Sequence, residues 1–549
     1  MLQHGAFPMD LTRSPLQKVR ELYQPQLPHI LLDVSTVHLT PSEKDPSSQE
    51  DEKIKSHFPN TFGHPLLTAK LGKQKLSQVL CVGVVLSGGQ AAGGHNVITG
   101  LFDALKRLHP QSRLFGFLGG PGGIVSGSYR ELEIDGIKSY RNQGGFDLIG
   151  SGRTKIETPE QLASSLDVMQ KLELDGLVII GGDDSNTNAA VLAEFFASKG
   201  CKTKVIGVPK TIDGDLRNEH VAVSFGFDTA CKVYSEVIGN IARDALSAKK
   251  YYHFIRLMGR SASHIALECA LATHPTYAII GEEVFALKKT LKQITGEIAD
   301  LICSRSALNK HFGVILVPEG LIEFIPEVGI LIQELNGILA KQENADIPTV
   351  LKNLTPSSQQ CFSALPEMIQ KQLLLSRDPH GNVQVSFIET ERLLMEMVST
   401  ELASRRKEGS YKGKFNAVQH FLGYEGRSGF PSNFDCNYCY TLGFTAALLI
   451  DSGHSGYMCF VKDLDRSVAD WRIGGVPLTA LMNFEMRKGQ LKPVIKKALV
   501  DLKGQSFRLF SEKRKQWQTD DTYRFPGPIQ FFGDPTLTDS YPFLLNDLQ

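Results

Sequence analysis

Two aspartates stand side by side after two glycines in "LVIIGGDDSNTNAA", residues 177–190, where an apolar strand ends and a helix begins. A helix N-terminus behind a Gly turn suits a phosphate, and bare carboxylates would repel one. The pair makes chemical sense with a cation, since Mg²⁺ is commonly held by one or two carboxylates plus substrate phosphate oxygens. Asp183 is the metal-side candidate, and the competing reading is that Asp184, Ser185 or Asn186 simply caps the helix. The next strand end carries "VIGVPKTIDGDL", residues 205–216, which gathers Lys210, Asp213 and Asp215 within six residues. A lysine there can neutralise charge on a transferring phosphoryl group, and a carboxylate can take the proton of an attacking hydroxyl. Asp213 is the general-base candidate, although a lone "KTIDGD" also suits a charged surface turn. Two glycine loops, "SGGQAAGGHN" at 87–96 and "GGPGG" at 119–123, can bring backbone N–H groups close to an anion. The first has the spacing of neither a Walker loop nor a dinucleotide fingerprint, and alone it also suits a tight βα turn with no ligand. Arg260 in "MGRSASH", Arg427 in "YEGRSG" and Glu319 in "ILVPEG" offer a second pocket, arginines for a phosphate and a carboxylate for sugar hydroxyls, although each alone also suits a surface ion pair.

These loops need elements that hold them at one edge of a sheet. From Val79 onward a short apolar run repeatedly meets a Gly-rich turn and then an amphipathic helix, which predicts an α/β fold with mostly parallel sheets. Ligands in such sheets sit beyond the carboxyl ends of the strands, where these turns lie. With 549 residues and 42% hydrophobic content, two or more cores are expected. Lys plus Arg and Asp plus Glu both number 59, so no net field would draw nucleic acid or an anionic membrane. The longest apolar stretch, near Leu442–Ile450, is about half a membrane span, and the N-terminus lacks a basic flank followed by a long apolar core. A soluble, cytoplasmic protein is expected, and nine scattered cysteines fit a reducing compartment. The pair in "CNYC", Cys436 and Cys439, has no second pair to complete a zinc site and reads as structural.

The expected organisation is an N-terminal extension over 1–77, with a polar linker or loop at 41–56. A larger α/β domain spans 78–217 and 430–500, and a smaller one 218–320 and 410–429. A helical insertion fills 321–409, where apolar residues recur at three- and four-residue spacing, and a tail of unreadable structure covers 501–549.

Taken together, "SGGQAAGGHN", "GGDDS", "PKTIDGD", "GFDTA", "MGRSASH", "PEG" and "GYEGRSG" resemble the phosphofructokinase family, in its long-chain, pyrophosphate-dependent branch, over roughly residues 78–480. The resemblance implies two Rossmann-like three-layer domains with the active site between them, Mg²⁺, and a homo-oligomer, a homodimer as first guess, whose active sites are shared. The implied reaction is reversible phosphoryl transfer from pyrophosphate to the 1-hydroxyl of fructose 6-phosphate. Matched position by position, it puts the donor on Gly89 and Arg153, Mg²⁺ on Asp183, and catalytic roles on Asp184, Lys210 and Asp213. Thr211, Ile212, Asp213, Met258, Gly259, Arg260, Glu319, Tyr424, Glu425, Gly426 and Arg427 would hold the sugar phosphate. Lys250 and Tyr251 match a place from which the family reaches into the adjacent subunit's site.

ATP-using relatives in this family carry a glycine at the position of Asp184 and lack a lysine at that of Lys210. A carboxylate there fills the space of a nucleotide's inner phosphate and repels it, so the second aspartate of the opening pair reads as a donor filter. One departure stands in the first loop, where Ala92 replaces the family's usual proline and a looser cradle is expected. The alternatives are an ATP-dependent phosphofructokinase and a non-catalytic regulatory subunit.

Overall fold

The computed structural model describes residues 14–42, 51–340, 342, 346–374, 383, 387–487, 490–528 and 541–548. In chain order the strands are β1 (Val37–Pro41), β2 (Leu67–Leu71), β3 (Cys81–Leu86), β4 (Arg113–Phe117), β5 (Tyr129–Glu131), β6 (Gly176–Gly181) and β7 (Lys204–Pro209). They continue with β8 (Tyr252–Leu257), β9 (Tyr277–Ala278), β10 (Gly313–Pro318), β11 (Ala417–Leu422), β12 (Tyr457–Lys462), β13 (Arg472–Pro477), β14 (Met482–Arg487) and β15 (Gln490–Ile495). The chain folds into two compact units, Met1–Lys210 with Arg427–Met482 and Gln530–Ser540, and Thr211–Gly426 with Asn483–Ile529 and Tyr541–Gln549.

The first unit is built on a nine-stranded sheet in the order β1-β2-β13-β12-β7-β6-β3-β4-β5. Its centre, β4-β3-β6-β7-β12, is parallel. These strands are runs such as "LVIIG", buried on both faces, as a parallel sheet covered by helices requires. Helices Gly94–Leu108 and Asn433–Asp451 pack so closely that a Cβ on Gly100 would strike the Tyr440 carbonyl, and one on Gly443 the Val97 carbonyl. Cys436 and Cys439 are buried in the second of these helices, and Cys436 accepts from Arg20 at 2.9 Å. All nine cysteines are free thiols.

The second unit carries a four-stranded sheet, β11-β8-β10-β9, in which every pairing is parallel. Helices of the 321–409 stretch share one apolar core with β8 and β10: Leu331, Leu335, Phe362, Leu394 and Val398 pack with Phe254, Ile315 and Val317. A buried ion pair at 2.8 Å between Arg256 on β8 and Glu391 on helix Thr390–Lys407 ties the two together.

The units depart from the expected boundaries in four places, one of them at residues 427–429, which belong to the first unit and not to the smaller domain. The division falls after Lys210 because that residue still pairs with β6, its N–H donating to the Gly181 carbonyl at 3.0 Å. Residues 483–500 join the second unit. The N-terminal stretch contributes two antiparallel edge strands, β1 on β2 and β2 on β13, to the large sheet. The linker expected over 41–56 is corrected at its end, where Asp51–His57 is a helix that buries Ile54; residues 43–50 lie outside the described residues. The tail contains a helix, Gln505–Asp520. No described helix is long and apolar enough to cross a membrane.

Candidate active site

In the first unit the loops after β3, β6 and β7 stand abreast. Strand register sets them so: Leu86 pairs with Ile180, and Gly181 with Pro209. The first glycine loop leaves β3 through Gly88, whose φ of 83° only glycine adopts cheaply. A Cβ on Gly88 would sit 3.2 Å from Lys210 Nζ, and one on Gly89 would run into Arg427 Nη2 with Arg153 Nη2 3.8 Å away. Three cationic groups therefore close around two bare backbone positions, the arrangement an anion with several phosphate oxygens needs. Lys210 is buried and donates to the Gly89 carbonyl at 2.7 Å. Arg153 arrives because the Gly88 N–H donates to the Gly152 carbonyl at 2.8 Å. Arg427, implied for the sugar phosphate, lies here against the donor-side loop, its Nε donating to the Gln90 carbonyl at 3.4 Å. Ala91 and Ala92 are fully buried, so packing fixes the end of the loop that lacks proline.

Helix Asp183–Ser198 begins with the acidic pair, and its N-cap is Gly182 with no side-chain cap. Capping therefore does not account for Asp184, Ser185 or Asn186. Asn186 instead donates to the Gly181 and Gly182 carbonyls at 2.7 and 2.9 Å, and Ser185 donates to Ser87 at 2.8 Å, which fixes the turn against the first loop. Both carboxylates sit in the first turn, where the helix dipole favours negative charge. Asp184 pairs with Lys155 at 3.1 Å. Among the described residues no three His, Cys, Asp or Glu side chains gather to cage a metal. One carboxylate, Asp183, with the remaining positions left to water and phosphate oxygens, is a donor set that fits Mg²⁺.

In the second unit Met258, Glu319 and Gly423 each follow the last residue of β8, β10 and β11, and the register pairs Leu257 with both Pro318 and Leu422. Their backbones continue the ladder, Met258 N–H donating to the Leu422 carbonyl at 3.0 Å and Glu319 N–H to the Leu257 carbonyl at 2.9 Å. Gly259, at φ 126°, turns its N–H onto the Glu319 carboxylate at 3.0 Å. Burial, and then the neighbouring Asp213 carboxylate, push Glu319 up to about 7; the Gly259 N–H, Arg256 and Arg260 oppose the shift. Asp213, Glu319 and Arg260 thus share one electrostatic neighbourhood. The turn that carries Asp213 is closed by its N–H on Thr211 Oγ1 at 3.1 Å and by Ser224 on the Thr211 carbonyl at 2.9 Å. Ile212 is buried, whereas Arg260, Tyr424 and Glu425 are exposed and Gly426 is buried against Tyr234. Lys250 and Tyr251 are exposed ahead of β8, with Tyr251 at φ 65°.

The sequence did not single out Lys155 or Tyr234, and it offered Ser185 only as a helix cap. Lys155 was within reach, two positions after Arg153 in "GSGRTK"; the Ser185–Ser87 bond and the packing of Tyr234 on Gly426 are contacts made only by the fold.

A family model described as phosphofructokinase matches residues 81–450. A pyrophosphate–fructose 6-phosphate 1-phosphotransferase of Treponema pallidum (strain Nichols) is 53% identical over 546 residues, covering 96% of this chain and 95% of that one. The beta subunit of the enzyme of that name from Solanum tuberosum is 56% identical over 497 residues, covering 90% of this chain and 87% of that one. Among solved structures, a pyrophosphate-dependent phosphofructokinase from Nitrosospira multiformis aligns with TM-score 0.54 at 15% identity, over 81% of this chain and 93% of that one, a likeness of fold.

Proposed function

The chain belongs to the phosphofructokinase family, and from that premise we infer that it transfers a phosphoryl group reversibly between pyrophosphate and the 1-hydroxyl of fructose 6-phosphate. The products are fructose 1,6-bisphosphate and phosphate. The observation that carries this reading is the donor-side loop: Lys210, Arg153 and Arg427 crowd Gly88 and Gly89 while Asp184 occupies the adjoining helix start. That site offers concentrated positive charge for a small, highly charged donor, and a carboxylate where a nucleotide's inner phosphate would lie.

In the forward direction the 1-hydroxyl gives its proton to Asp213 as its oxygen bonds to the near phosphorus of pyrophosphate. The bridging P–O bond breaks, and the departing phosphate keeps the electron pair. Lys210 and the two arginines stabilise charge on the phosphoryl oxygens without reorganising, since Lys210 is already fixed on the Gly89 carbonyl. Asp183 would hold Mg²⁺, which would supply positive charge to offset that of the donor. On the acceptor side Arg260 grips the 6-phosphate and the Glu319 carboxylate accepts from a sugar hydroxyl. Lys250 and Tyr251 serve the site of a neighbouring copy in a homo-oligomer, and the protein works in the cytoplasm.

The test is to incubate purified protein with pyrophosphate, fructose 6-phosphate and Mg²⁺ and quantify products. One phosphate released per fructose 1,6-bisphosphate formed is expected; phosphate without the bisphosphate would overturn the reading. Glu319 makes the acceptor side pH-dependent. Its pKa is raised to about 7, so it becomes neutral as pH falls through that value and loses the charge that makes it a strong acceptor. KM for fructose 6-phosphate is expected to rise about tenfold from pH 8 to pH 6, following the ionised fraction. In Glu319→Gln that rise should flatten, a comparison that separates Glu319 from titration of the substrate.

A further inference from the structure

The family match ends at residue 450, yet a segment beyond it, following β15, reaches both acceptor-side loops of the second unit. Lys497 Nζ donates to Ser261 Oγ at 3.0 Å and lies 3.9 Å from the Asp215 carboxylate. Next to it, the Ala498 N–H donates to the Asp215 carbonyl at 2.7 Å, and the Ala498 carbonyl meets His264 Nε2 at 3.1 Å. Further along, Val500 N–H and Ser263 N–H both donate to Glu282 Oε1 at 3.0 Å. Asp215 is two residues from Asp213, and Ser261 is the neighbour of Arg260. Residues 497–500 therefore strap the loop of the base to the loop of the phosphate anchor.

We propose that Lys497 is a positioning residue for the acceptor: by holding Asp215 and Ser261 together, it sets the distance between Asp213 and Arg260. This rests on the function proposed above, because it is the 1-hydroxyl and the 6-phosphate of one substrate that must meet those two groups at once. Arg260 sits on an exposed turn, and its loop is anchored from below through Ser261 and Ser263. A lysine suits the task because its ammonium can meet a hydroxyl and a carboxylate from one point. Displacements near 1 Å at a reacting centre can cost about 10²-fold in rate, so a loosened strap should register in kinetics before it registers in stability.

The experiment compares wild type, Lys497→Met, Lys497→Arg, Ser261→Ala and the Lys497→Met/Ser261→Ala double variant. Initial rates are varied in each substrate, with fructose 6-phosphate binding by calorimetry and thermal melts alongside. Lys497→Met should lower kcat/KM for fructose 6-phosphate by about 10- to 100-fold and leave KM for pyrophosphate within about twofold. Lys497→Arg should recover most of the loss, and the Ser261 effect should shrink in the Lys497→Met background. The proposal is overturned if Lys497→Met matches wild type for fructose 6-phosphate, or if both substrates suffer equally with a falling melting temperature. Should Lys497→Met fail to fold, Ser261→Ala against wild type reads the same contact and the same two outcomes. A wild type without pyrophosphate-dependent turnover would sink the proposed function, and calorimetry would then decide on Lys497: unchanged fructose 6-phosphate affinity in the variant overturns the strap.

Discussion

Replacing Asp213 with asparagine is expected to lower kcat by about 10²–10⁴, the range general-base catalysis supplies, with KM for fructose 6-phosphate little changed. Asparagine keeps the size of the side chain and leaves the backbone N–H of residue 213 on Thr211 Oγ1, so the turn should survive. It cannot accept the proton of the 1-hydroxyl. An unaltered melting curve beside the lost turnover would assign the loss to chemistry. A variant within tenfold of wild type would show that another group takes the proton. The same substitution removes the carboxylate that helps to raise Glu319, so the Glu319-dependent pH step in substrate binding should move to lower pH.

Lys210→Met is the second large effect, with kcat falling by about 10²–10³, the range typical of deleting one preorganised donor at developing charge. KM for pyrophosphate should rise as well, because the lysine faces the donor loop in the ground state too. The side chain is buried with its ammonium on the Gly89 carbonyl, so a methionine of similar length fills the space and removes the charge. Binding of fructose 6-phosphate, measured by calorimetry, should be unaffected. A parallel loss of affinity for both substrates would point to collapse of the loop instead.

Much of the fold was legible in the sequence because the candidate loops sit at strand ends. Runs such as "LVIIG" and "VIGVP" are short, apolar and followed by glycine or charge, which in a parallel sheet means a buried strand with a functional loop at its carboxyl end. Asp183, Lys210 and Asp213 stand out as candidates on that basis alone. The strands Val37–Pro41 and Leu67–Leu71 were not, since their half-exposed patterns carry little periodic signal and β13, which joins the second of them to the sheet, lies some 400 residues away. The helix Asp51–His57 was hidden by its charge, with Ile54 and the following Phe58 as its apolar contacts. Nothing local to "IKKALV" announces that Lys497 braces Asp215 and Ser261; that link exists only once the chain has folded back. Arg427 was singled out in "YEGRSG" as an anion ligand, and the approach of its guanidinium to Gly89 is likewise a contact made only by the fold.

Donor choice separates a pyrophosphate-using enzyme from an ATP-using one. Initial rates with saturating fructose 6-phosphate and Mg²⁺ should be measured for pyrophosphate and for ATP, in wild type and in Asp184→Gly, with Asp213→Ala as the blank. Asp184 stands in the first turn of its helix, paired with Lys155, so a glycine there removes the carboxylate that the proposed donor filter relies on. Wild type is expected to turn over with pyrophosphate alone, and the variant to lose part of that rate while gaining measurable use of ATP. Wild-type preference for ATP would contradict the account.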